Sequence, residues 1–345
     1  MKRFLVLVGT LFFTGAVVAQ QRPHYTQYIL NNYVLNPALS GIENYTDLKI
    51  STRDQWVGLN GAPKTNYLSI HKPLGKADYK TSATSYNVPG ENPRGNSYWE
   101  NYTASDPHHG IGMILLNDKA GSFNRFSLSG TYAYHIGLSG RTNLSAGFSG
   151  GITMVSIDKT KQDFTGTGSS NDPATYSVSN ELNKIKPEIG AGVWLYSANY
   201  FLGISAQQII PHKLMFVDDA AIIQKGAFVP HLFLTGGYRF LLSNDINALP
   251  SFMLKYVKGT STNDFQPEGN LKLQYRDLVW LGGSYRYEDG YAGMLGLNVA
   301  NLFNVGYSYD YTTTHLNTMS RGTHEIVIGF LLGNNWGDTC PRNVW

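Results

Sequence analysis

Three groups of residues have the types and spacing that chemistry uses. Gly147-Phe148-Ser149-Gly150-Gly151 fits Gly-x-Ser-x-Gly, the pattern in which a serine attacks an acyl carbon. That chemistry needs the serine on a strained turn between a strand and a helix. Here the pattern sits inside an alternating strand, so the small residues are expected to let the chain bend. The nine histidines are a second group. None has the His-Glu-x-x-His spacing that puts two imidazoles on one helix face. His108-His109 falls in a predicted loop, His231 on the polar register of its strand and His324-Glu325 at a strand start. They read as solvated loop or rim residues rather than ligands. Third, Asn44-Tyr45-Thr46 and Asn101-Tyr102-Thr103 have the form of glycosylation sequons, three-residue matches that carry little weight by themselves. No residue is assigned a catalytic, cofactor-binding or metal-ligating role, and no cofactor is expected.

The elements that hold these residues show best in 278–313. One register there reads Val279, Leu281, Gly283, Tyr285, Tyr287, then Tyr291, Gly293, Leu295, Leu297, Val299, then Phe303, Val305, Tyr307, Tyr309, Tyr311. The other holds Gly282, Ser284, Arg286 and Glu288, then Ala292, Met294, Gly296 and Asn298, then Asn304, Gly306, Ser308, Asp310 and Thr312. Period-two alternation means strands with one dry and one wet face. Asp289-Gly290 signals a tight hairpin, and Ala300-Asn301 breaks the next pair. Each run lasts roughly 9–11 residues, the span of a tilted transmembrane strand. Tyrosines crowd the strand ends, where a membrane barrel places aromatic girdles. The dry register has no charge, and one Lys or Arg at mid-bilayer depth costs about 2–4 kcal/mol.

Composition agrees. The 345 residues are 42% hydrophobic, and beyond the N-terminus no apolar run reaches the 18 or so that a spanning helix needs. The 37 Gly and 23 Tyr suit a kinked, girdled barrel. Removing Lys2 and Arg3 with a leader takes the formal charge from +3 to +1, no footprint for nucleic acid. The single cysteine, Cys340, has no internal partner for a disulfide.

Residues 1–19 read as a secretory signal peptide: Lys2-Arg3, the apolar run 4–13, and Val17-Val18-Ala19 before Gln20. Segment 20–44 shows neither period and is expected to be an extended lead-in. Two roles stand open for it, a polar tether packed under the barrel and a plug or partner-docking strip. Predicted strands follow at 46–55, 64–74, 110–117, 123–138, 142–158, 185–197, 200–208, 227–242, 247–258, 264–275, 278–288, 291–299, 302–313 and 322–332. The fold class is thus all-β, an up-and-down antiparallel transmembrane barrel of about fourteen strands over 45–332. A polar insertion at 76–108 interrupts it, and 333–345 forms a tail. Short connections at 139–141, 198–199, 276–277 and 300–301 predict the periplasmic rim. The longer 159–184, 210–226 and 314–321 predict the outer rim, which puts both termini in the periplasm. Lys186, Glu188, Arg239, Lys255, Lys272, Arg286 and Glu288 face the lumen in this scheme. A ladder of charges filling the interior is preferred over a pore lining.

Pro23-His24-Tyr25-Thr26-Gln27-Tyr28, Asn36-Pro37-Ala38, Gly41, Arg53-Asp54-Gln55-Trp56-Val57-Gly58 and Gly61-Ala62-Pro63-Lys64-Thr65 together resemble the PorP/SprF family of the Bacteroidetes type IX secretion and gliding system. Asn117-Asp118-Lys119-Ala120-Gly121, Tyr132-Ala133-Tyr134, Tyr307-Ser308-Tyr309-Asp310 and Gly322-Thr323-His324-Glu325-Ile326 extend the resemblance over nearly the whole mature chain. The insertion 76–108 departs from the family's pattern. The resemblance implies a non-enzymatic outer-membrane component of type IX secretion. Its expected partners are outer-membrane lipid and either secretion components at the periplasmic face or the C-terminal domain of a secreted adhesin. A solute channel or porin is the alternative. The candidate partner-binding residues are Tyr25, Gln27, Tyr28, Asn36, Pro37, Arg53, Trp56, Gly58, Gly61 and Pro63. For Trp56 the residues leave two roles open, an interfacial anchor and a docking residue.

Overall fold

A barrel wall must send alternate side chains to lipid and to the interior, and the burial pattern of the strands does so. In the strand Val279–Arg286, Trp280, Ser284 and Arg286 are buried while Leu281 is 59% exposed on the outer face. The computed structural model describes residues 25–76, 102–157, 183–210, 212–213, 227–257, 264–276, 278–299 and 302–334. The expected signal peptide, most of the insertion 76–108, residues 158–182 and Cys340 lie outside them.

The wall is built from β1 (Thr46–Asp54), β2 (Lys64–Leu74), β3 (His108–Ala120), β4 (Phe123–Ser139), β5 (Thr142–Ile157), β6 (Asn183–Tyr196) and β7 (Tyr200–Gln207). A short pair, β8 (His212–Lys213) and β9 (Ala227–Phe228), stands apart as its own two-stranded sheet. The wall resumes with β10 (His231–Tyr238), β11 (Phe240–Ser243), β12 (Ile246–Val257), β13 (Phe265–Tyr275), β14 (Val279–Arg286), β15 (Gly290–Val299), β16 (Phe303–Thr312) and β17 (Thr323–Leu332). β10 and β11 both pair with β12 and act as one stave, so the sheet is a closed antiparallel barrel of fourteen strands. Closure comes from β1 against β17, with Arg53 opposite Glu325 and Ile50 opposite Ile328. Among the described residues the barrel sheet has no unpaired edge strand, the condition for a sheet in lipid.

Local differences from the sequence expectation have local causes. The predicted strand at 227–242 is three pieces. Pro230, with no N–H to donate, separates β9 from β10. At Arg239 the strand is interrupted, and its backbone N–H donates to Asn199 O (2.7 Å), one step beyond the last β10–β7 partners, Tyr238 and Tyr200. His108 and His109 open β3 rather than lying in a loop. The hairpin after β14 turns on Tyr287–Glu288–Asp289, with Gly290 already in β15. Glu288 holds φ +59° on the exposed turn and does not face the lumen.

The core lies inside the barrel. Residues 25–43 run through the lumen as three short 3-10 turns, Thr26–Leu30, Asn32–Val34 and Pro37–Leu39, in keeping with a stretch that showed neither helix nor strand period. Tyr25, Tyr28, Ile29, Val34 and Leu35 form one apolar cluster with Tyr67, Leu116, Phe233, Met253, Trp280 and Met294 of the wall. A second cluster joins Tyr33, Ala38, Leu39 and Ile42 to Ile114, Trp194, Tyr196 and Phe201.

Candidate functional site

The segment 25–43 can occupy the lumen because inward-facing side chains meet its polar backbone at every level. It begins near the rim formed by the end of β1 and the start of β17. There Arg53 Nη1 donates to Glu325 Oε2 (2.8 Å) and Nη2 to Asp310 Oδ2 (2.8 Å), both acids inside the wall. Thr26 sits on this triad. Its N–H donates to Glu325 Oε2 (2.9 Å), its hydroxyl donates to Asp310 Oδ2 (2.5 Å), and Thr26 Oγ1 in turn accepts from Arg53 Nη1 (2.9 Å). Gln27 Nε2 donates to the Glu325 carbonyl (2.7 Å). A second guanidinium, Arg286, holds Glu268 (3.0 Å) and Asp289 (2.6 Å) alongside. Ions this deep need such pairing, since an unpaired charge would cost several kcal/mol.

Midway the contacts become neutral. Tyr25 meets Tyr67 edge-on with centroids 5.4 Å apart, a favoured aromatic geometry. Asn270 donates to the Tyr28 hydroxyl, Asn31 Nδ2 to Ser69 Oγ (2.9 Å), and Gln207 Nε2 to Val34 O (3.0 Å). Asn36 caps the turn Pro37–Leu39 by accepting from Ala38 N (3.0 Å), and its amide donates to Val193 O (3.1 Å) and Ile204 O (3.3 Å). Pro37 opens that turn, where its missing N–H costs nothing.

At the far end three imidazoles surround one bend. Gly41 N–H donates to His71 Nδ1 (3.2 Å), so His71 is an acceptor there. His108 Nε2 lies 3.1 Å from Gly41 O and His135 Nε2 2.8 Å from Ser40 O. The His108 and His135 rings stack with centroids 4.5 Å apart. His71, His108 and His135 are therefore buried clamps on the segment, not solvated loop residues. His231 is fully buried as well, with Nδ1 2.9 Å from Val229 O. Lys76 Nζ donates to Ile42 O (2.7 Å) and Glu43 O (3.0 Å), just before β1 begins.

The Gly-x-Ser-x-Gly stretch has a role that its motif hid. Gly147 faces inward, and a Cβ there would fall 2.7 Å from Ala38 Cα. Gly110, Gly112, Gly192 and Gly306 press in the same way on Ser40, Tyr33, Asn36 and Gln27. These glycines make room for the lumenal segment.

The ten candidate residues divide. Tyr25, Gln27, Tyr28, Asn36, Pro37 and Arg53 are buried within the barrel. Trp56, Gly58, Gly61 and Pro63 lie on the rim loop between β1 and β2. Trp56 has φ +47° and its N–H donates to Thr323 Oγ1 (3.1 Å). Val57 exchanges backbone hydrogen bonds with the loop before β17, through Gly322 O and Arg321 N (both 2.8 Å). Gly61 O accepts from Gly121 N (2.8 Å), tying the loop to the β3–β4 turn, and Pro63 O accepts from Gln55 N (2.9 Å). Gly58 is exposed at φ +102°, a conformation that disfavours any side chain. Sequence reading missed Thr26, Asp310, Glu325, Glu268 and the histidine clamp. The signal for Glu325 was present, because closing the first strand on the last puts it opposite Arg53.

Comparison with curated proteins finds no match. Among solved structures the chain is similar to the CymD monoaromatic hydrocarbon channel, with 13% identity, TM-score 0.46, and 87% of this chain and 91% of that chain covered. It is similar to the Ralstonia pickettii toluene transporter TbuX (10% identity, TM-score 0.48, 88% and 92% covered). It is also similar to the Acinetobacter baumannii outer membrane protein Omp33 (7% identity, TM-score 0.44, 85% and 100% covered). Likeness this low carries none of those proteins' activities over. A family model reaches further: the one described as type IX secretion system membrane protein PorP/SprF matches residues 17–330, which take in the lumenal segment, the rim hairpin and nearly all of the wall. This chain belongs to the PorP/SprF family of outer-membrane β-barrels of type IX secretion.

Proposed function

We propose that this protein is a closed, non-enzymatic scaffold in the outer membrane. It either anchors the secretion apparatus or supports export and surface attachment of a partner adhesin through the adhesin's C-terminal domain. The observation that carries this reading is the lumenal segment 25–43, pinned at one end by Arg53, Asp310 and Glu325 and at the other by His71, His108 and His135. A barrel filled by its own chain serves better as a rigid platform than as a conduit. Trp56, Gly58, Gly61 and Pro63 are the signature residues on the rim, and so the ones within a partner's reach. Ser149 faces inward opposite Gly190 in the ladder, away from any strand-to-helix elbow, and takes no catalytic part.

The starts of β1 and β3 and the end of β17 share one rim, which we assign to the periplasm. Residues 102–107, where the insertion 76–108 ends, lie at that rim, with Ala104 N donating to Gly140 O (2.9 Å). The insertion would then face periplasmic partners; cleavage of a tag at Asn92 by protease added outside the cell would refute that. The main test is conductance in planar bilayers. The intact barrel is expected to give no stable current, whereas a steady solute-permeable pore would overturn the scaffold reading in favour of a channel. Pull-down from outer membranes should recover secretion components or a large surface protein; because Trp56 lies on the rim opposite the periplasmic one, Trp56→Ala should reduce capture of the surface protein while the barrel stays folded.

A further inference from the structure

The outer wall of β17, β1, β2 and β3 differs from the rest near the rim that carries Trp56. On β14–β16 the outward residues towards this rim are aromatic: Tyr285, Tyr291, Tyr309 and Tyr311, each 38–56% exposed. On β1–β3 they form three graded rows set by the register. The row nearest the rim pairs Asp54 with Lys64 and Lys64 with Lys119. The next pairs Thr52 with Asn66 and Asn66 with Asn117. The third pairs Ile50 with Leu68 and Leu68 with Leu115. Successive rows are about 7 Å apart along a strand.

Two lysines directly opposite each other repel and destabilise an antiparallel pair. Asp54 reaches only Lys64, at 3.1 Å in a solvent-exposed bridge worth little. Both lysines line a cleft of about 400 Å³ together with Asp54, Gln55 and the small or apolar rim residues between Val57 and Ala62, so two ammonium groups face one carboxylate there. Directly below it, towards the membrane centre, is a second recess of about 330 Å³. Thr52, Asn66 and Asn117 line it together with Ile50, Leu68, Leu115, Phe126, Ile326 and Ile328.

We infer that these two recesses form one binding site for a phosphate-bearing membrane lipid. The Lys64–Lys119 pair receives the phosphate, the Asn66 and Asn117 amides meet the carbonyls that link headgroup to chains, and the recess below takes an acyl chain. The charge complementarity of the doubled lysines commits the site to an anion. Its outward register on a lipid-facing wall commits it to a lipid, and the depth order of the three rows follows that of a lipid. The site does not depend on the scaffold function, because its readout is bound lipid rather than bound protein.

The test uses the full barrel in nanodiscs of phosphatidylglycerol and phosphatidylcholine, released into mild detergent for native mass spectrometry. Wild type is expected to retain phosphatidylglycerol. Lys64→Ala/Lys119→Ala is expected to retain it about 30-fold more weakly, from the loss of two interfacial lysines. Both residues are exposed, and unchanged heat-modifiable gel mobility verifies that the variant is folded. Lys72→Ala, an outward lysine of β2 at the opposite rim, should behave as wild type. Asn66→Leu/Asn117→Leu should weaken retention while leaving both lysines in place. Equal retention by wild type and the lysine variant would overturn the site, as would an equal loss in Lys72→Ala. Displacement by inorganic phosphate as complete as by added phosphatidylglycerol would show an anion pocket without lipid specificity, and would also overturn it. Recovery of a bound protein segment in place of lipid would do the same.

Discussion

The two ends of the lumenal segment are held by different chemistry. At Thr26 the grip is ionic: one hydroxyl and one N–H rest on a guanidinium and two carboxylates supplied by β1, β16 and β17. At Ala38–Gly41 the groups on the backbone are three imidazoles and Ser145, whose hydroxyl donates to Ala38 O (2.7 Å), with the Lys76 ammonium only beyond them, on Ile42 O and Glu43 O. The contrast teaches where the structure is brittle. In a buried ionic knot each member answers for the others, so losing one strands the rest. In a neutral clamp each hydrogen bond fails separately.

Removing the guanidinium should therefore have the largest effect. Arg53→Met leaves the buried Asp310 and Glu325 carboxylates without their shared partner, and about 3–5 kcal/mol of stability should be lost on unfolding in detergent. Replacing Asp310 and Glu325 as well, by Asn and Gln, should recover a large part of that loss. If the triple variant is as unstable as the single one, the ionic account of this end is wrong. Next comes the inward glycine against the neutral end. Gly147→Val drives two methyl groups into Ala38 and should cost about 1–3 kcal/mol through overpacking. It should also raise labelling of a cysteine placed at Ser40; unchanged labelling would mean that the wall gives way instead.

Smaller effects separate the ends more finely. His135→Phe keeps the stack on His108 but deletes the bonds to Ser40 O and Tyr196, for about 1–3 kcal/mol if the carbonyl is left dry. It should sum to within a few tenths of a kcal/mol with Ser205→Ala, whose hydroxyl donates to Leu35 O (2.7 Å) from β7, three strands away, whereas Arg53 and Glu325 variants should couple strongly. Tyr67→Leu removes the edge-on contact with Tyr25, worth about 0.5–1.5 kcal/mol beyond its burial. Double-mutant cycles read in urea supply all these couplings.

The wall was legible because a strand writes its environment at every second residue. Leu281, Tyr285, Leu295 and Tyr309 identify the lipid face with no knowledge of any partner strand. Even the closure is implied once the number of strands is even. The lumen was less legible. Lys186, Glu188, Arg239, Lys255, Lys272 and Arg286 do face inward, but polarity on that register says only that a side chain avoids lipid. Gly147 and Gly151 matched a catalytic pattern by spacing, while Gly147's reason lies 109 residues upstream at Ala38. His108 looked solvated because the polar Ser105-Asp106-Pro107 before it reads as loop and puts the expected strand start at Gly110, two residues too late.

Sequence by itself thus determined the solvent, the strand count and the sidedness of every strand, since period-two patterning is a local property that each strand carries alone. Tertiary structure decided what fills the interior. The segment 25–43 has no period because its backbone is satisfied by side chains from strands all round the barrel, as when Thr26 meets Glu325, 299 residues away. Such matching exists only once the wall has closed, and no single stretch of the chain records it.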